Sequence, residues 1–176
     1  MSGVSKAIVQ PLLSWYDAGH RDLPWRSEPA PYRVWVSEIM LQQTRVEAVR
    51  GYFSRWMNAL PDIPALAAAD EAVYTKLWEG LGYYSRVRNL HRAAVLLCEE
   101  YGGELPADYD RLLALPGVGE YTAGAVASIA FGLPVPAVDG NVLRVAARLD
   151  NDFTPITDAK FKKQTRERFA ALMPSD

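Results

Sequence analysis

Two acidic residues that lie about a hundred positions apart, Glu38 and Asp139, could together cleave a glycosidic bond. Glu38 lies about 40° around a predicted helix from Val34, inside an arc of apolar positions. Burial penalises a charged carboxylate, so a carboxyl on this face keeps its proton to higher pH and can act as a general acid. The alternative is a buried ion pair with Arg45 on the same face, which the helix alone favours.

Asp139 begins a predicted helix after a proline-rich loop, in the segment VDGNV at 138–142. It is therefore a natural N-cap, and capping alone would account for it. Capping is also compatible with catalysis, because amide donors stabilise an ionised carboxylate. A protonated Glu38 beside an ionised Asp139 would supply an acid for the leaving group and an anion for the cationic sugar.

A glycine turn, LPGVG at 115–119, comes directly before another predicted helix. Gly117 and Gly119 allow a positive φ or a close backbone approach. The amides of such a turn, followed by a helix N-terminus, form an anion site suited to a phosphate, although an ordinary interhelical turn has the same pattern. It is not a nucleotide P-loop, since Ala125 stands where the lysine would be.

The elements that must position these residues are predicted to be all helical. Apolar residues recur at spacings of three and four, and no long alternating run appears. Pro24, Pro29 and Pro31 are predicted to frame an extended linker, and residues 58–64 to form a turn. The predicted helices lie within 3–18, at 32–57, 70–79 with Asp70 as its cap, 85–101, 108–115, 120–131 and 139–149, and from Pro155 towards Leu172.

Length and composition predict a globular protein of one domain or two interleaved lobes. The chain has 176 residues, of which 49% are hydrophobic, which excludes a disordered chain. Its single cysteine, Cys98, forms neither an internal disulfide nor a metal cage, which indicates a reducing, intracellular setting. No segment has the features of a signal peptide or a membrane span, so we expect a soluble protein.

The charge distribution is more informative than the net charge of −2, which argues mildly against a broad nucleic-acid-coating surface. Residues 81–98 carry Arg86, Arg88, His91 and Arg92 and no acidic residue. Arginine is well suited to phosphate. The segment therefore predicts either phosphate contacts or a solvated helix face.

Five segments together resemble the A/G-specific adenine DNA glycosylase (MutY) family. They are LPWR at 23–26, SEIMLQQT at 37–44, GLGYYSR at 80–86, LPGVGEYTAGA at 115–125 and VDGNV at 138–142. They follow the family's order over essentially the whole chain. The resemblance implies a fold of the helix-hairpin-helix glycosylase superfamily and the removal of adenine mispaired with 8-oxoguanine or guanine, and it favours the catalytic interpretation of Glu38.

The resemblance also implies roles for individual residues. Glu38 would protonate the flipped adenine and later activate water, and Asp139 would stabilise the sugar cation or its covalent adduct. Tyr121 would assist that cation and Asn141 would orient the carboxylates. The DNA-binding residues would be Gln43 and Tyr83 as wedges in the duplex, with Arg86, Arg88, Leu115, Gly117, Val118 and Gly119; the adenine pocket would be lined by Trp25 and Arg26, with core packing as the alternative for Trp25.

A division of the chain follows from the same resemblance. Residues 1–28 would form the N-terminal segment of a second helical lobe, residues 29–134 a six-helix core lobe with the helix-hairpin-helix, and residues 135–176 the start of a return into the second lobe. That lobe would be incomplete, because the chain would end before the iron-sulfur region. The four cysteines that ligate a [4Fe-4S] cluster in the family are absent, so we expect no cofactor and no metal ligands within this chain.

The resemblance further implies double-stranded DNA with A:8-oxoG or A:G mispairs as the partner, a monomer when complete, and a bacterial cytoplasm with the chromosomal DNA as the location. We expect this chain to be a fragment with weak or no catalytic activity alone. With the rest of the second lobe missing, apolar residues near the N-terminus would lie uncovered, among them Leu12, Leu13 and Trp15.

Two other functions stay open at this point. Endonuclease III-like enzymes place a lysine where Tyr121 stands and use it as a Schiff-base nucleophile. Tyrosine cannot form that imine, so the sequence favours a monofunctional hydrolase over a glycosylase with lyase activity. A helix-hairpin-helix module that binds DNA without chemistry is the third possibility, but such a module has no use for a carboxyl at Glu38.

Overall fold

The computed structural model describes residues 6–173, and within this range the chain contains helices and no strand. The predicted all-α fold is confirmed. After a 3-10 turn at Lys6–Ile8, the helices are α1 (Val9–Gly19), α2 (Pro31–Leu41), α3 (Val46–Ala59), α4 (Ile63–Ala67), α5 (Glu71–Trp78), α6 (Ser85–Tyr101), α7 (Tyr109–Leu113), α8 (Glu120–Phe131), α9 (Gly140–Asp150) and α10 (Ala159–Ala170).

The prediction of one long helix at 32–57 is wrong. The chain breaks at residues 42–45 and forms α2 and α3 instead. At the break Gln43 has a φ of +57°, and Arg45 lies in an extended conformation at the N-cap of α3. The carbonyls at the end of α2 are bound by a side chain from α6, that of Arg86, which the local sequence does not reveal.

Most other boundaries agree with the sequence within one to four residues. α6 and α8 begin and end where predicted. Asp70 occupies the N-cap position of α5 but makes no side-chain cap hydrogen bond. The turn predicted at residues 58–64 overlaps the start of α4, a helix that the sequence did not predict. It is five residues long, with Asp62 as its cap and Pro64 in its first turn. The parts of the predicted helix 3–18 and of the divisions 1–28 and 135–176 that fall on residues 1–5 and 174–176 lie outside the described residues.

The core is built around α2, which packs against α3, α6 and α8. Trp35, Trp56 and Trp78 are fully buried. The rings of Trp56 and Trp78 meet edge to face at 5.6 Å between centroids. Trp56 Nε1 donates to the Tyr32 hydroxyl at 3.0 Å, and that hydroxyl donates to Leu60 O at 2.8 Å, so the buried polar atoms of this pair are satisfied.

The helix-hairpin-helix consists of α7, a glycine turn and α8. Gly117 has a φ of +75°, and a Cβ there would lie 2.6 Å from Asn89 Cβ, so both its conformation and its packing need glycine. A Cβ on Gly124 would lie 2.8 Å from Pro136 O. The absence of a side chain at Gly124 therefore allows the loop that leads to Asp139 to lie directly against α8.

Several large apolar side chains are exposed on α1 and beyond α8. Leu12, Leu13 and Trp15 on α1 are exposed, as expected, and Phe153 after α9 is almost fully exposed. None of the described helices is both long enough and apolar enough to cross a membrane. The division of the chain at residues 28 and 134 stays a prediction.

Candidate active site

A cleft of about 1110 Å³ brings together residues that are far apart in the sequence. It lies between α2, the start of α8 and the start of α9, with the segment before α2 along one side. Both predicted carboxylates line it. The other predicted residues along the cleft are Trp25, Arg26, Gln43, Tyr121 and Asn141.

Glu38 lies half-buried on α2 and faces this cleft. Burial raises the pKa of its carboxyl, and the negative charge of Asp139 acts in the same direction. Hydrogen bonding with the Tyr121 hydroxyl and the charge of Arg26 lower the pKa, but burial is the largest effect. The ion-pair alternative is not observed, because none of the ion pairs among the described residues includes Glu38 or Arg45.

Tyr121 is the second residue of α8, which turns its phenol towards Glu38. Burial raises the pKa of the phenol, and the neighbouring carboxylates of Glu38 and Asp139 raise it further. The hydroxyl therefore stays protonated over the neutral range. It can act as a hydrogen-bond donor in the cleft but not as a base.

Asp139 is the N-cap of α9, as the sequence predicts. Its Oδ1 accepts hydrogen bonds from the backbone N–H groups of Asn141, at 2.9 Å, and Val142, at 2.8 Å. Its Oδ2 accepts from Asn141 Nδ2 at 2.7 Å, and Arg144 in turn donates to Asn141 Oδ1. Both carboxylate oxygens therefore have hydrogen-bond donors, and the positive end of the helix dipole lies beside them.

The two residues predicted to line an adenine pocket differ in burial. Trp25 is only 5% exposed and packs edge to face on Phe53 at 5.4 Å, yet it also lines the cleft. Arg26 is exposed, and its guanidinium lies 5.5 Å from the centroid of the Tyr16 ring. Trp25 therefore packs in the core and also forms part of the cleft wall. Core packing and pocket lining, the two interpretations from the sequence, are compatible.

Gln43 and Tyr83 project from two exposed turns and both have left-handed backbones. Their φ angles are +57° and +46°, and Tyr83 is 65% exposed. This conformation is costly for residues with a Cβ and persists only where the surroundings impose it. The family resemblance implied that these two residues enter the duplex, but nothing in the sequence indicated their left-handed backbone conformation.

The two arginines predicted to bind DNA have protein partners. Arg88 is exposed and its Nε lies 3.2 Å from Glu71 Oε1. Arg86 is half-buried, and its guanidinium donates to backbone carbonyls at the end of α2 and in the turn before α6. The Arg86 guanidinium is therefore engaged by backbone carbonyls, and its predicted role as a DNA ligand stays a prediction.

The hairpin presents its backbone, not its apolar side chains, to solvent. Leu115 and Val118 belong to the core at 3% and 8% exposure, and the Val118 N–H donates to Leu115 O. Gly117 and Gly119 are exposed, and Gly119 is the N-cap of α8 without a side-chain cap bond. Of these four predicted DNA contacts, only the glycines lie at the surface, so a phosphate would meet backbone amides there.

Sequence reasoning missed two residues that support the site. Arg144 fixes the orientation of the Asn141 amide, and its position three residues after Asn141 on one helix is the signal that could have revealed it. Gln42 lines the cleft and its Nε2 donates to Thr122 Oγ1 at 3.3 Å, which ties the end of α2 to α8. This contact joins residues 80 positions apart, so no local pattern predicts it.

The residues of this chain do not fit an iron-sulfur cluster. A [4Fe-4S] cluster needs four thiolates, and the sequence has one cysteine, Cys98, half-buried on α6. In the described range, no group of three or more histidine, cysteine, aspartate or glutamate side chains could hold a metal ion.

Comparison with known proteins agrees with this geometry. Residues 36–172 match the family described as HhH-GPD superfamily base excision DNA repair protein. The chain is 52% identical to an adenine DNA glycosylase of Mus musculus over 147 residues, covering 78% of this chain and 28% of that protein. It therefore spans little more than a quarter of that relative's length.

Two solved structures are similar in fold. A thermostable thymine-DNA glycosylase superposes with a TM-score of 0.86 at 27% identity, covering 96% of this chain and 78% of the other. A trapped endonuclease III–DNA covalent intermediate superposes with a TM-score of 0.79 at 25% identity, covering 97% and 79%. The fold is thus shared by proteins whose names specify different reactions, and the side chains in the cleft must decide between them.

Proposed function

The chain belongs to the HhH-GPD superfamily of base excision DNA repair proteins and, within it, to the adenine DNA glycosylase family, and we propose that it removes adenine from duplex DNA. The reaction is hydrolysis of the N-glycosidic bond. The observation that carries the proposal is the pairing of Glu38 and Asp139 in one cleft. Burial raises the pKa of Glu38, whereas Asp139 accepts three hydrogen bonds. We infer that Glu38 acts as the acid and Asp139 as the anion in this cleft.

The protonated Glu38 carboxyl donates its proton to a ring nitrogen of the adenine as the bond from the base to the sugar carbon breaks. The bonding electron pair leaves with the base, and the sugar becomes an oxocarbenium-like cation. The Asp139 carboxylate stabilises this cation. Water then attacks the sugar carbon and gives a proton to the Glu38 carboxylate, which restores the acid and leaves an abasic site.

Tyr121 and Asn141 support the two carboxylates. The Tyr121 phenol, protonated over the neutral range, opposes part of the rise in the pKa of Glu38 and adds a dipole beside the developing cation. Asn141 holds Asp139 Oδ2 while Arg144 holds the oxygen of the Asn141 amide. The carboxylate therefore does not need to reorient when the cation forms.

Duplex DNA with adenine opposite 8-oxoguanine or guanine is the proposed partner, and the bacterial cytoplasm the proposed location. An adenine inside a duplex cannot reach Glu38, so the base must leave the stack. The exposed side chains of Gln43 and Tyr83 would fill the space that it leaves. Backbone amides at Gly117 and Gly119 would bind a phosphate of the DNA backbone.

A single-turnover assay tests the proposal, with the chain in excess over duplexes that carry adenine opposite 8-oxoguanine, guanine or thymine. Because we expect this chain alone to be weakly active, release from the first two duplexes should be slow, and release opposite thymine slower still. Glu38→Gln should abolish release while duplex binding stays within a few-fold. The matched control is Glu47→Gln, an exposed carboxylate on α3 outside the cleft, which should behave like the unaltered chain.

Substantial release by the Glu38→Gln variant would contradict the assignment of the acid. Tight binding of the mispaired duplex without any release by the unaltered chain would favour the DNA-binding module over the enzyme.

A further inference from the structure

One guanidinium group connects the two turns that carry Gln43 and Tyr83. From this we propose that Arg86 is a positioning residue, which holds the backbone of both turns in the conformation from which these two side chains would enter duplex DNA. The inference rests on the proposed function for its DNA step. It assigns to Arg86 a task different from the phosphate contact that its charge suggests.

The first set of contacts is with the end of α2. Arg86 Nη1 donates to Gln42 O at 2.5 Å and to Ile39 O at 2.8 Å, with Met40 O at 3.3 Å. The last carbonyls of a helix have no N–H partner within the helix. Gln42 O belongs to the peptide bond that leads into Gln43, so Arg86 fixes that peptide plane.

The second set is with the turn between α5 and α6. Arg86 Nη2 donates to Leu81 O at 3.0 Å and lies 3.4 Å from Gly82 O. Gly82 O belongs to the peptide bond that leads into Tyr83. The guanidinium carbon also lies 5.6 Å from the centroid of the Tyr83 ring and 5.4 Å from that of Trp78. The same group therefore binds the peptide that precedes each left-handed residue.

Arginine is required for this arrangement because its donors form a rigid planar fork. Two nitrogens of the fork serve two separate backbone segments, and its flat face contacts aromatic rings. A lysine ammonium is a single point of charge that cannot reach both segments at once. The backbone of Arg86 is itself fixed, since its N–H donates to Tyr83 O at 2.9 Å and the next residue, Val87, is fully buried.

Hydrogen–deuterium exchange on the chain without DNA tests the first half of the inference. Arg86→Lys should raise amide exchange in both segments, residues 41–45 and residues 81–84, by about tenfold or more. Arg148→Lys, an exposed arginine on α9, is the matched control and should leave both segments unchanged. An effect of Arg86→Lys in only one segment, or in neither, overturns the inference.

Glycine substitutions separate positioning from general stability. Glycine takes a positive φ without a steric penalty, so Gln43→Gly with Tyr83→Gly removes the need for an imposed conformation. We expect this pair to restore part of the melting temperature that Arg86→Lys loses. A melting temperature that falls equally in both backgrounds would show that Arg86 acts only as a general core contact.

Binding to a duplex with adenine opposite 8-oxoguanine tests the second half. Arg86→Lys should weaken duplex binding about tenfold. In the variant with glycine at 43 and 83 it should weaken binding by less than about twofold, because Arg86 affects binding through the two side chains that this variant lacks. Arg86→Gln should leave the slope of log K against log salt unchanged. A slope reduced by about 0.9 would reveal a lost phosphate contact and would overturn the inference.

The outcomes also separate this inference from the proposed function. If the unaltered chain binds the duplex but releases no adenine, the enzymatic proposal fails while the tests of Arg86 stand. If the unaltered chain binds no duplex, the proposed effect of Arg86 on DNA binding is overturned. The proposed entry of Gln43 and Tyr83 into the duplex is then overturned as well.

Discussion

Asn141 binds Asp139 through both its backbone and its side chain. Its N–H donates to Asp139 Oδ1 at 2.9 Å, and its Nδ2 donates to Oδ2 at 2.7 Å. The same carboxylate therefore begins helix α9 and faces the cleft. A residue with two tasks allows an experiment that separates them, since the cap needs an oxygen acceptor and the chemistry needs a negative charge.

Asp139→Asn keeps an acceptor oxygen for the N-cap but removes the charge. We expect adenine release to fall at least about 100-fold, because the sugar cation loses its counter-charge. The free energy of unfolding should fall by no more than about 1 kcal/mol, as for other changes at N-caps. Single-turnover rates and thermal unfolding measure the two effects.

Asp108→Asn is the matched control, because Asp108 caps α7 in the same way, with Oδ1 2.9 Å from Arg111 N, and lies outside the cleft. It should change stability by a similar amount and leave adenine release unaltered. A large loss of stability in Asp139→Asn with normal release would leave Asp139 as a cap only.

Glu38 makes stability depend on pH in a direction fixed by its burial. Its pKa in the folded chain is raised, chiefly by burial, so ionisation is harder when folded than when unfolded. Below the pKa that Glu38 has in the unfolded chain, the carboxyl is protonated in both states and does not alter the free energy of unfolding. As pH rises above that value and through the pKa in the folded chain, the free energy of unfolding falls. Glu38→Gln escapes this loss, and its melting temperature relative to wild type should increase between about pH 4 and pH 8.

Glu47→Gln is the matched control for the loss of a carboxylate, because Glu47 is exposed and lies outside the cleft. A Glu38→Gln difference that stays constant over this pH range would mean that burial does not raise the pKa of Glu38.

Tyr121→Phe should move the alkaline limb of the pH–rate profile. Release needs protonated Glu38, so the rate falls as pH exceeds the pKa of that carboxyl. Hydrogen bonding with the Tyr121 hydroxyl lowers this pKa. Without it the pKa rises, and the limb should shift to higher pH while the maximal rate falls. Single-turnover rates from about pH 5 to pH 9 measure this, and a shift to lower pH would contradict the hydrogen bond's assigned effect.

The local features of the fold could be predicted from the sequence. The apolar spacing placed Glu38 on the correct face of α2, and the glycines at 102 and 119 marked where α6 ends and α8 begins. The N-cap at Asp139 followed from its residue type and the proline-rich loop before it. These features depend on neighbours within one or two helical turns, so a local pattern contains them.

The break between α2 and α3 could not be predicted, because its cause lies elsewhere in the chain. Residues 42–45 contain neither glycine nor proline, and an apolar spacing continues through them. Arg86, more than 40 residues away, binds the carbonyls that a continuous helix would use itself. The same contact could not be predicted either, because the sequence shows the charge of Arg86 but not the carbonyls that bind it.

Tyr121 distinguishes a hydrolase from an enzyme that forms an imine with the sugar. A lysine amine at this position, between Glu38 and Asp139, could attack the sugar carbon as the base leaves and form a Schiff base that borohydride reduces to a stable covalent complex. We expect no trapped complex from the unaltered chain, since a phenol cannot form an imine. Tyr121→Lys should produce one with the mispaired duplex, detected as a slower band in a denaturing gel.

Tyr84→Lys is the control for the new lysine, because Tyr84 is exposed and does not line the cleft. It should trap nothing, which would show that a lysine must lie beside the two carboxylates to react. Trapping by the unaltered chain would instead assign the nucleophile to another residue and favour the endonuclease III-like reaction.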